Sequence, residues 1–202
     1  MIKEEINTEQ KILAAAEEVF LQEGFSGARM QLIADKAAIN KAMLHYYFRS
    51  KDALFEKVFD ENSKKFFPEM IEILDTNLPF SEKVESFIDR YIDMLLAKPF
   101  LPLFVMNTIN QKGKDDFIQK LPLELPQKLM SSYFVDQSKG LVREINPMQF
   151  MLSIMGMCVF PFLAKPMISK AFNMVDEDFK ALMLQRKLEL KTYTKLILTV
   201  EK

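Results

Sequence analysis

The stretch QLIADKAAINKAMLHYYFRSKDALF, residues 31–55, decides how the N-terminal part of this chain folds. Its apolar residues recur first at helical spacing over positions 30–37, which predicts a short helix with one inward side. A second short helix is predicted over positions 41–47, after a turn of three or four residues. Two short helices joined by so tight a turn predict a helix-turn-helix.

The same segment is locally basic in a chain whose charges otherwise balance. Positions 29–51 hold five basic residues and one acid, a net charge of +4, whereas the whole chain has a net charge of −1 and a pI near 6.0. The five basic residues are Arg29, Lys36, Lys41, Arg49 and Lys51. A basic patch on such a motif is typical of a nucleic-acid-binding surface, because cations neutralise phosphates.

The second helix of the pair presents two different sides when its residues are placed about 100° apart. One side carries Lys41, Ala42, His45 and Tyr46. Leu44 and Tyr47 point the other way, and Met43 lies at the edge. The first side combines cationic, small and hydrogen-bonding groups, as a helix that reads the major groove requires. The alternative is a solvated charged face that binds nothing.

Residues 8–59 resemble the DNA-binding region of the TetR family of bacterial transcriptional repressors. In that family an Ile-Ala pair leads through Ala-Gly-Val-Ser to a helix of the form Lys-Gly-x-Leu-Tyr-x-Tyr-Phe, and x-Ser/Thr-Lys-Glu-x-Leu follows. The matching stretches here are Ile33-Ala34, Ala37-Ala38-Ile39-Asn40, Lys41-Ala42-Met43-Leu44-His45-Tyr46-Tyr47-Phe48 and Ser50-Lys51-Asp52-Ala53-Leu54. Their spacing matches the family pattern without a gap.

The resemblance implies a ligand-responsive repressor in the cytoplasm. Two N-terminal heads of a homodimer would bind the half-sites of a palindromic operator in double-stranded DNA. A small apolar or amphipathic effector would bind the larger C-terminal domain and release the operator. Matched position by position, the candidate DNA contacts are Arg29, Asn40, Lys41, Ala42, Met43, His45, Tyr46, Tyr47 and Lys51. Two alternatives share the fold: an activator or a repressor without an effector, and a helical protein-interaction adaptor that no longer binds DNA.

Three residues depart from the family pattern. Arg29 replaces the usual threonine that caps the first helix of the motif, so a cap is lost and a cation for phosphate is gained. Ala42 replaces a glycine, and its methyl group can meet a thymine methyl. Ala38 replaces the glycine of the turn, where it costs about 1 kcal/mol of strain if the position has a positive φ.

Helix signals continue through the rest of the chain, and strand signals are absent. We therefore predict an all-α protein, with a three-helix helix-turn-helix head over residues 1–50. A larger helical bundle for effector binding and dimerisation is expected over residues 51–202. Gly24 ends the first helix, and the predicted N-caps are Thr8, Ser50, Ser81, Asn146 and Asp176.

The larger domain is rich in methionine and phenylalanine and has no motif that specifies chemistry. These side chains form either an ordinary core or an adaptable apolar pocket with a few polar groups. The candidate ligand residues are Met70, Met94, Phe104, Asn107, Gln111, Tyr133, Phe134, Met151 and Met155. The resemblance places the dimer interface on two helices, positions 147–161 and 176–199. The apolar stripe of the second comprises Phe179, Leu182, Met183, Leu190 and Tyr193.

Several function classes are disfavoured by composition. The single cysteine, Cys158, and the single histidine, His45, exclude an internal disulfide, multi-cysteine metal sites and two-histidine zinc sites. Catalytic triads and glycine-rich phosphate loops are also absent, so we predict no enzyme, cofactor or metal. Positions 145–164 carry no charge over the length of a membrane span, but polar residues and prolines interrupt them. We therefore expect a buried helix there and no membrane partner.

Overall fold

The structure, a computed structural model, describes residues 2–110 and 115–200. Within these ranges the chain forms eleven α-helices and no strand, which confirms the all-α prediction. The helices are α1 (Ile2–Gly27), α2 (Met30–Lys36), α3 (Lys41–Tyr47), α4 (Lys51–Asp75), α5 (Phe80–Ala97), α6 (Leu101–Ile109), α7 (Asp115–Gln119), α8 (Glu124–Ser138), α9 (Pro147–Leu163), α10 (Lys165–Phe172) and α11 (Asp176–Leu198).

The chain divides into two compact units, residues 1–65 and 66–202. The first unit contains α1 to α3 and the beginning of α4. Sequence analysis placed the boundary after residue 50, but the ring of Phe55 in α4 lies 4.5 Å from Phe20 and 5.1 Å from Phe25, both in α1. This aromatic cluster makes the beginning of α4 part of the helix-turn-helix unit.

Helix α1 is interrupted where the sequence predicts its end. Gly24 has φ 67° and ψ 173°, a conformation that a residue without Cβ adopts with little strain. The predicted N-cap at Thr8 is wrong, because α1 already begins at Ile2 and Thr8 lies inside it. The charged residues of positions 3–5 gave no apolar period from which the earlier start could be predicted.

The turn between α2 and α3 is strained at one residue. Ala38 has φ 54°, in the left-handed region that disfavours any residue with a Cβ. Its backbone N–H donates to Asp35 O at 3.1 Å, and the next residue, Ile39, donates to Ala34 O at 3.0 Å. These two hydrogen bonds close the turn and hold Ala38 in its unfavourable conformation.

We expect Ala38→Gly to raise the free energy of unfolding by about 0.5–1 kcal/mol, because relief of the left-handed strain exceeds the extra entropy that glycine loses on folding. Urea denaturation measures the change. Ala42→Gly, inside α3, is the matched control and is expected to lower the free energy of unfolding by about 1 kcal/mol. A loss of stability in both variants would contradict the assigned strain.

Two of the predicted N-caps are confirmed. The Ser50 hydroxyl accepts from the N–H of Ala53 at 3.1 Å, at the beginning of α4. The Asn146 side-chain oxygen accepts from the N–H of Gln149 at 3.1 Å, and Pro147 occupies the first position of α9. Both caps use a partner three residues away, which is why sequence spacing could reveal them.

The N-cap predicted at Ser81 is wrong. Helix α5 begins one residue earlier, at Phe80, and Pro79 at its N-cap has no side chain that could accept a hydrogen bond. The acceptor is Asp136 of α8, whose carboxylate Oδ2 lies 2.7 Å from the Phe80 N–H. Asp136 is buried, so this charged cap from a distant helix joins α8 to the beginning of α5.

The Asp176 cap is also wrong, by one position. Asp176 is the first residue of α11, and Val175 precedes it as the N-cap. The carboxylate of Asp178 accepts from the Val175 N–H at 3.1 Å. Asp176 instead pairs with Lys165 at 2.8 Å, and this ion pair lowers the pKa of its carboxyl.

Helices α5 and α11 form the centre of the second unit and run antiparallel. Their apolar sides meet α8 and α9 in one core. Three ion pairs flank this core and join Asp93 to Lys187, Asp89 to Lys191, and Glu85 to Lys195, all at 3.4 Å or less. We call these three pairs the charge ladder.

Most of the apolar stripe predicted on α11 does not lie at the surface: Tyr193 is exposed and Leu182 half-buried, but the other three residues are buried. Phe179, Met183 and Leu190 are buried in the core, so their prediction as interface residues is wrong. A second set of apolar residues on α11 is exposed and comprises Leu184, Leu188 and Leu196. On α9 the exposed apolar residues are Met148, Leu152 and Phe160. We call these six residues the exposed apolar surface.

No single helix among the described residues combines the length and the apolar composition needed to cross a bilayer. Two neighbouring pairs reach that length only when added together, and they are bent by 95° and 63°. The second pair, Pro147–Leu163 with Lys165–Phe172, contains most of the uncharged stretch of positions 145–164.

Candidate nucleic-acid interface

Helix α3 is held in place by its cap and by one buried side. The Asn40 side-chain oxygen accepts from the Met43 N–H at 2.7 Å, so Asn40 caps the helix. Leu44 is fully buried and Phe48, directly after the helix, is nearly so. These contacts fix which side of α3 faces solvent.

The solvent side of α3 is the one that the helical spacing predicted. Lys41, Ala42, His45 and Tyr46 are all exposed, and Tyr46 retains 78% of its surface. Met43 lies at the edge with 43% exposed, while Tyr47 is half-buried. We call Lys41, Ala42, His45 and Tyr46 the reading face.

Two aromatic rings end this surface. The rings of Tyr46 and Tyr47 meet edge to face with centroids 5.5 Å apart, a favourable arrangement for aromatic pairs. Because Tyr47 is half-buried, this contact steadies the exposed ring of Tyr46. Apart from this contact, the Tyr46 side chain is exposed to solvent.

The cations of positions 29–51 fall into two groups. Arg29, Lys41 and Arg49 are exposed, and within the described part of the chain their side chains make no hydrogen bond or ion pair. Lys36 pairs with Glu18 of α1 at 2.5 Å. The Lys51 ammonium donates to two backbone carbonyls, and its geometry differs from the free phosphate contact expected from the sequence.

The beginning of α2 confirms the expected loss of a cap. Arg29 occupies the N-cap position with φ −116° and ψ 139°, and its side chain makes no capping hydrogen bond. The first N–H groups of α2 therefore have no capping acceptor from Arg29, and its guanidinium is left at the exposed beginning of the helix. On the exposed side of α2, Gln31 donates to Asp35 at 2.7 Å.

The predicted ligand residues do not surround one cavity. Three of them are buried, namely Met70, Phe104 and Tyr133, and three are half-buried, namely Met94, Met151 and Met155. Asn107 and Phe134 are exposed, and Gln111 lies outside the described residues. A shallow crevice, too narrow in this structure to admit even a water molecule, is lined by Tyr133 and Met151, together with Phe80, Leu129, Met130, Pro147 and Phe150. A wider groove of about 460 Å³ beside the end of α4 contains none of the predicted residues.

Tyr133 has a structural role that the sequence did not reveal. Its hydroxyl accepts from the Ile145 N–H at 2.9 Å and lies within hydrogen-bonding distance of the carbonyls of Arg143 and Ile145, at 3.3 and 3.1 Å. These contacts fasten the loop before α9.

Cys158 is a buried residue of the core. Burial raises the pKa of its thiol to about 12, and the nearby Arg186 guanidinium opposes this only in part. The guanidinium is fixed by a hydrogen bond from its Nε to Met157 O at 2.7 Å. A thiol with so high a pKa is protonated at neutral pH and is a poor nucleophile.

A helix-turn-helix with a solvent-facing second helix, followed by a helical domain, defines the class of helix-turn-helix regulators. The family model for bacterial regulatory proteins of the tetR family matches residues 12–58. An HTH-type transcriptional regulator of Bacillus subtilis, YhgD, is 32% identical over 144 residues, which are 70% of this chain and 75% of that protein. The chain belongs to the tetR family of bacterial transcriptional regulators.

Two further comparisons extend over most of the chain. The HTH-type transcriptional repressor NicS of Pseudomonas putida is 28% identical over 184 residues, 86% of this chain and 85% of that protein. The structure of the regulator FadR from Bacillus subtilis in complex with stearoyl-CoA superposes with a TM-score of 0.58 at 20% identity, covering 90% of this chain and 96% of that one. The second likeness shows the shared fold.

Proposed function

We propose that this chain is a homodimeric repressor whose reading face binds a palindromic operator in double-stranded DNA. The exposed reading face, with its three unpaired cations nearby, is the observation that supports this function. Lys41 offers an ammonium to guanine or phosphate oxygens, His45 a ring N–H to base edges, and Ala42 a methyl group to thymine. Arg29 and Arg49 lie before α2 and after α3, where backbone phosphates flank a helix in the groove.

The other predicted contacts contribute in different ways. The Tyr46 hydroxyl is exposed and suits a phosphate oxygen, while the half-buried Tyr47 steadies it. Met43 lies at the edge of the reading face and offers an apolar contact. The side-chain oxygen of Asn40 accepts the capping hydrogen bond of α3. The side-chain NH₂ group of Asn40 can still donate to DNA.

Dimerisation is supported by the exposed apolar surface of α9 and α11. Leu188 and Leu196 retain 65% and 69% of their surface, and Phe160 retains 60%. Several large apolar side chains exposed on two helices of one unit are typical of a surface that another protein covers. A second copy that packs on the same surface gives the dimer two reading faces. Half-sites one helical turn apart require them to be roughly 34–36 Å from each other.

The effector that we propose is a small apolar or amphipathic molecule. The FadR structure, a neighbour in fold, holds stearoyl-CoA, and the crevice of this chain is lined mainly by apolar side chains. Met130 and Met151 border the crevice and are flexible enough to widen it for a ligand. Release of DNA requires that the ligand bind the two states of the protein with different affinities.

Selection from a randomised pool of duplexes tests the DNA-binding function. We expect the protein to enrich a palindrome, and Lys41→Gln to weaken binding to the selected duplex about tenfold. The same variant should flatten the slope of log K against log salt by about 0.9 for each phosphate that the lysine neutralises. Fluorescence anisotropy at several salt concentrations measures both effects. Lys170→Gln, an exposed lysine of α10, is the matched control.

Two results would contradict this function. One is a pool in which no sequence is enriched although the protein is folded, which favours the protein-interaction adaptor. The other is an equal loss of affinity in Lys170→Gln, which would show that binding follows total charge and does not depend on the reading face.

A further inference from the structure

Lys51 connects two parts of the first unit that are far apart in sequence. Its ammonium nitrogen lies 2.7 Å from Phe25 O and 3.0 Å from Ala28 O, residues 26 and 23 positions earlier. The same nitrogen lies 4.5 Å from the centre of the Phe25 ring. Two charge-assisted hydrogen bonds and a cation–π contact therefore hold one ammonium group.

The two carbonyls lie where a cation is favoured. Phe25 follows the break at Gly24 and lies in the last turn of α1, and Ala28 is the first residue after that helix ends at Gly27. The last carbonyls of a helix lack partners within it and carry partial negative charge, so a cation there is stabilised. The contacts with Lys51 use two of its three N–H donors.

The position of Lys51 in the chain makes this contact important for α3. The residue is the first of α4, directly after the connection that follows α3, and its partners lie at the connection that precedes α2. The helix-turn-helix is thus enclosed between the two connections that Lys51 joins. A change in this contact shifts both ends of the segment that presents the reading face.

We propose that Lys51 is a positioning residue, which fixes the helix-turn-helix between α1 and α4 and does not itself bind phosphate. This inference rests on the proposed DNA-binding function, because it concerns how the reading face is oriented. It reassigns one of the cations that the sequence counted toward DNA. The exposed Arg49, two residues earlier, is the phosphate-binding cation of this connection.

Lys51→Met tests the role, because methionine retains an unbranched apolar chain and has none of the three donors. We expect the thermal midpoint to fall by about 5 °C. Affinity for the selected duplex should fall about tenfold, an effect as large as that of removing one base-reading side chain. The slope of log K against log salt should stay unchanged, since the variant still neutralises the same phosphates.

Arg49→Met is the matched control and should give the opposite pattern. We expect its thermal midpoint to stay unchanged and its salt slope to flatten by about 0.9 for each phosphate that the arginine neutralises. A Lys51→Met protein with an unchanged midpoint and a flattened slope would overturn the proposal.

Acetylation of the unmodified protein tests the same role without a substitution. With N-hydroxysuccinimidyl acetate, we expect Lys51 to react slowly both with and without the selected duplex, because its amine is held by the two carbonyls. Lys41 should react readily and become protected only by the duplex. Protection of Lys51 that depends on DNA would overturn the proposal. If no duplex is enriched, the DNA-binding function fails, while slow acetylation and a lowered midpoint still establish the contact itself.

Discussion

Leu188→Glu is expected to convert the proposed dimer to a folded monomer and to lower affinity for the proposed operator by about 10²-fold or more. The side chain is 65% exposed at the middle of α11, so a carboxylate is tolerated in the monomer. In a dimer the same carboxylate would be buried without a partner, which is costly. Two heads on one duplex gain affinity from their high effective concentration, and a monomer loses that gain.

Sedimentation velocity and fluorescence anisotropy measure the two effects on one preparation. Leu103→Glu, which changes an exposed leucine of α6, is the matched control and should remain dimeric. The half-buried Met151 and Met155 are less suitable positions, because a charge there also disturbs the core. A Leu188→Glu protein that remains a tight dimer would place the interface elsewhere.

Asp136→Ala is expected to lower the free energy of unfolding by about 2 kcal/mol. The substitution leaves the buried N–H of Phe80 without its acceptor and removes the charged cap from the beginning of α5. Urea denaturation gives the change, provided the slope with denaturant stays the same. Asp136→Asn retains an acceptor oxygen and should lower the free energy of unfolding by about half as much.

Asp93→Ala is the control for the loss of a carboxylate as such. Asp93 pairs with Lys187, but its side chain is 55% exposed, and exposed ion pairs contribute about 0–1 kcal/mol. If Asp93→Ala costs as much as Asp136→Ala, the stabilising effect of Asp136 does not come from its cap.

The sequence predicted the helix ends whose partners are near in the chain. Ser50 and Asn146 each accept from an N–H three residues later, and such spacing is visible in one dimension. Asp136 reaches the beginning of α5 across 56 positions, so nothing near Ser81 could indicate it. Local capping chemistry is readable from sequence, whereas a cap from another helix requires the fold.

The candidate site shows the same division. Helical spacing predicted which residues of α3 are exposed, because one turn of helix determines them. The net charge of the segment overstated the cations free of other contacts, since Lys36 pairs with Glu18 and Lys51 binds the carbonyls of Phe25 and Ala28. A count of charges in the sequence cannot distinguish a solvated cation from one that already forms an ion pair or hydrogen bonds within the fold.

Helix α11 misled the prediction for a different reason. It carries two apolar sets, one buried around Met183 and Leu190 and one exposed around Leu188. Amphipathic spacing indicates that a helix has an apolar side. Where a helix has two apolar sides, the spacing does not predict which of them is buried. The core of the second unit took the set with Phe179, and the other set remained at the surface.

The charges of the charge ladder recur every four residues on both α5 and α11. Because of this repeat, the same lysines and acids can pair in more than one register of the two helices. A slide of α11 by one turn, about 5.4 Å, would pair Lys191 with Asp93 and Lys195 with Asp89, and would retain two of the three ion pairs. The charge ladder therefore separates the two registers by the loss of a single ion pair. The unequal shapes of Phe179, Met183 and Leu190 in the core set the register. The charge ladder holds the two helices side by side, but it does little to prevent α11 from sliding along α5 by one turn.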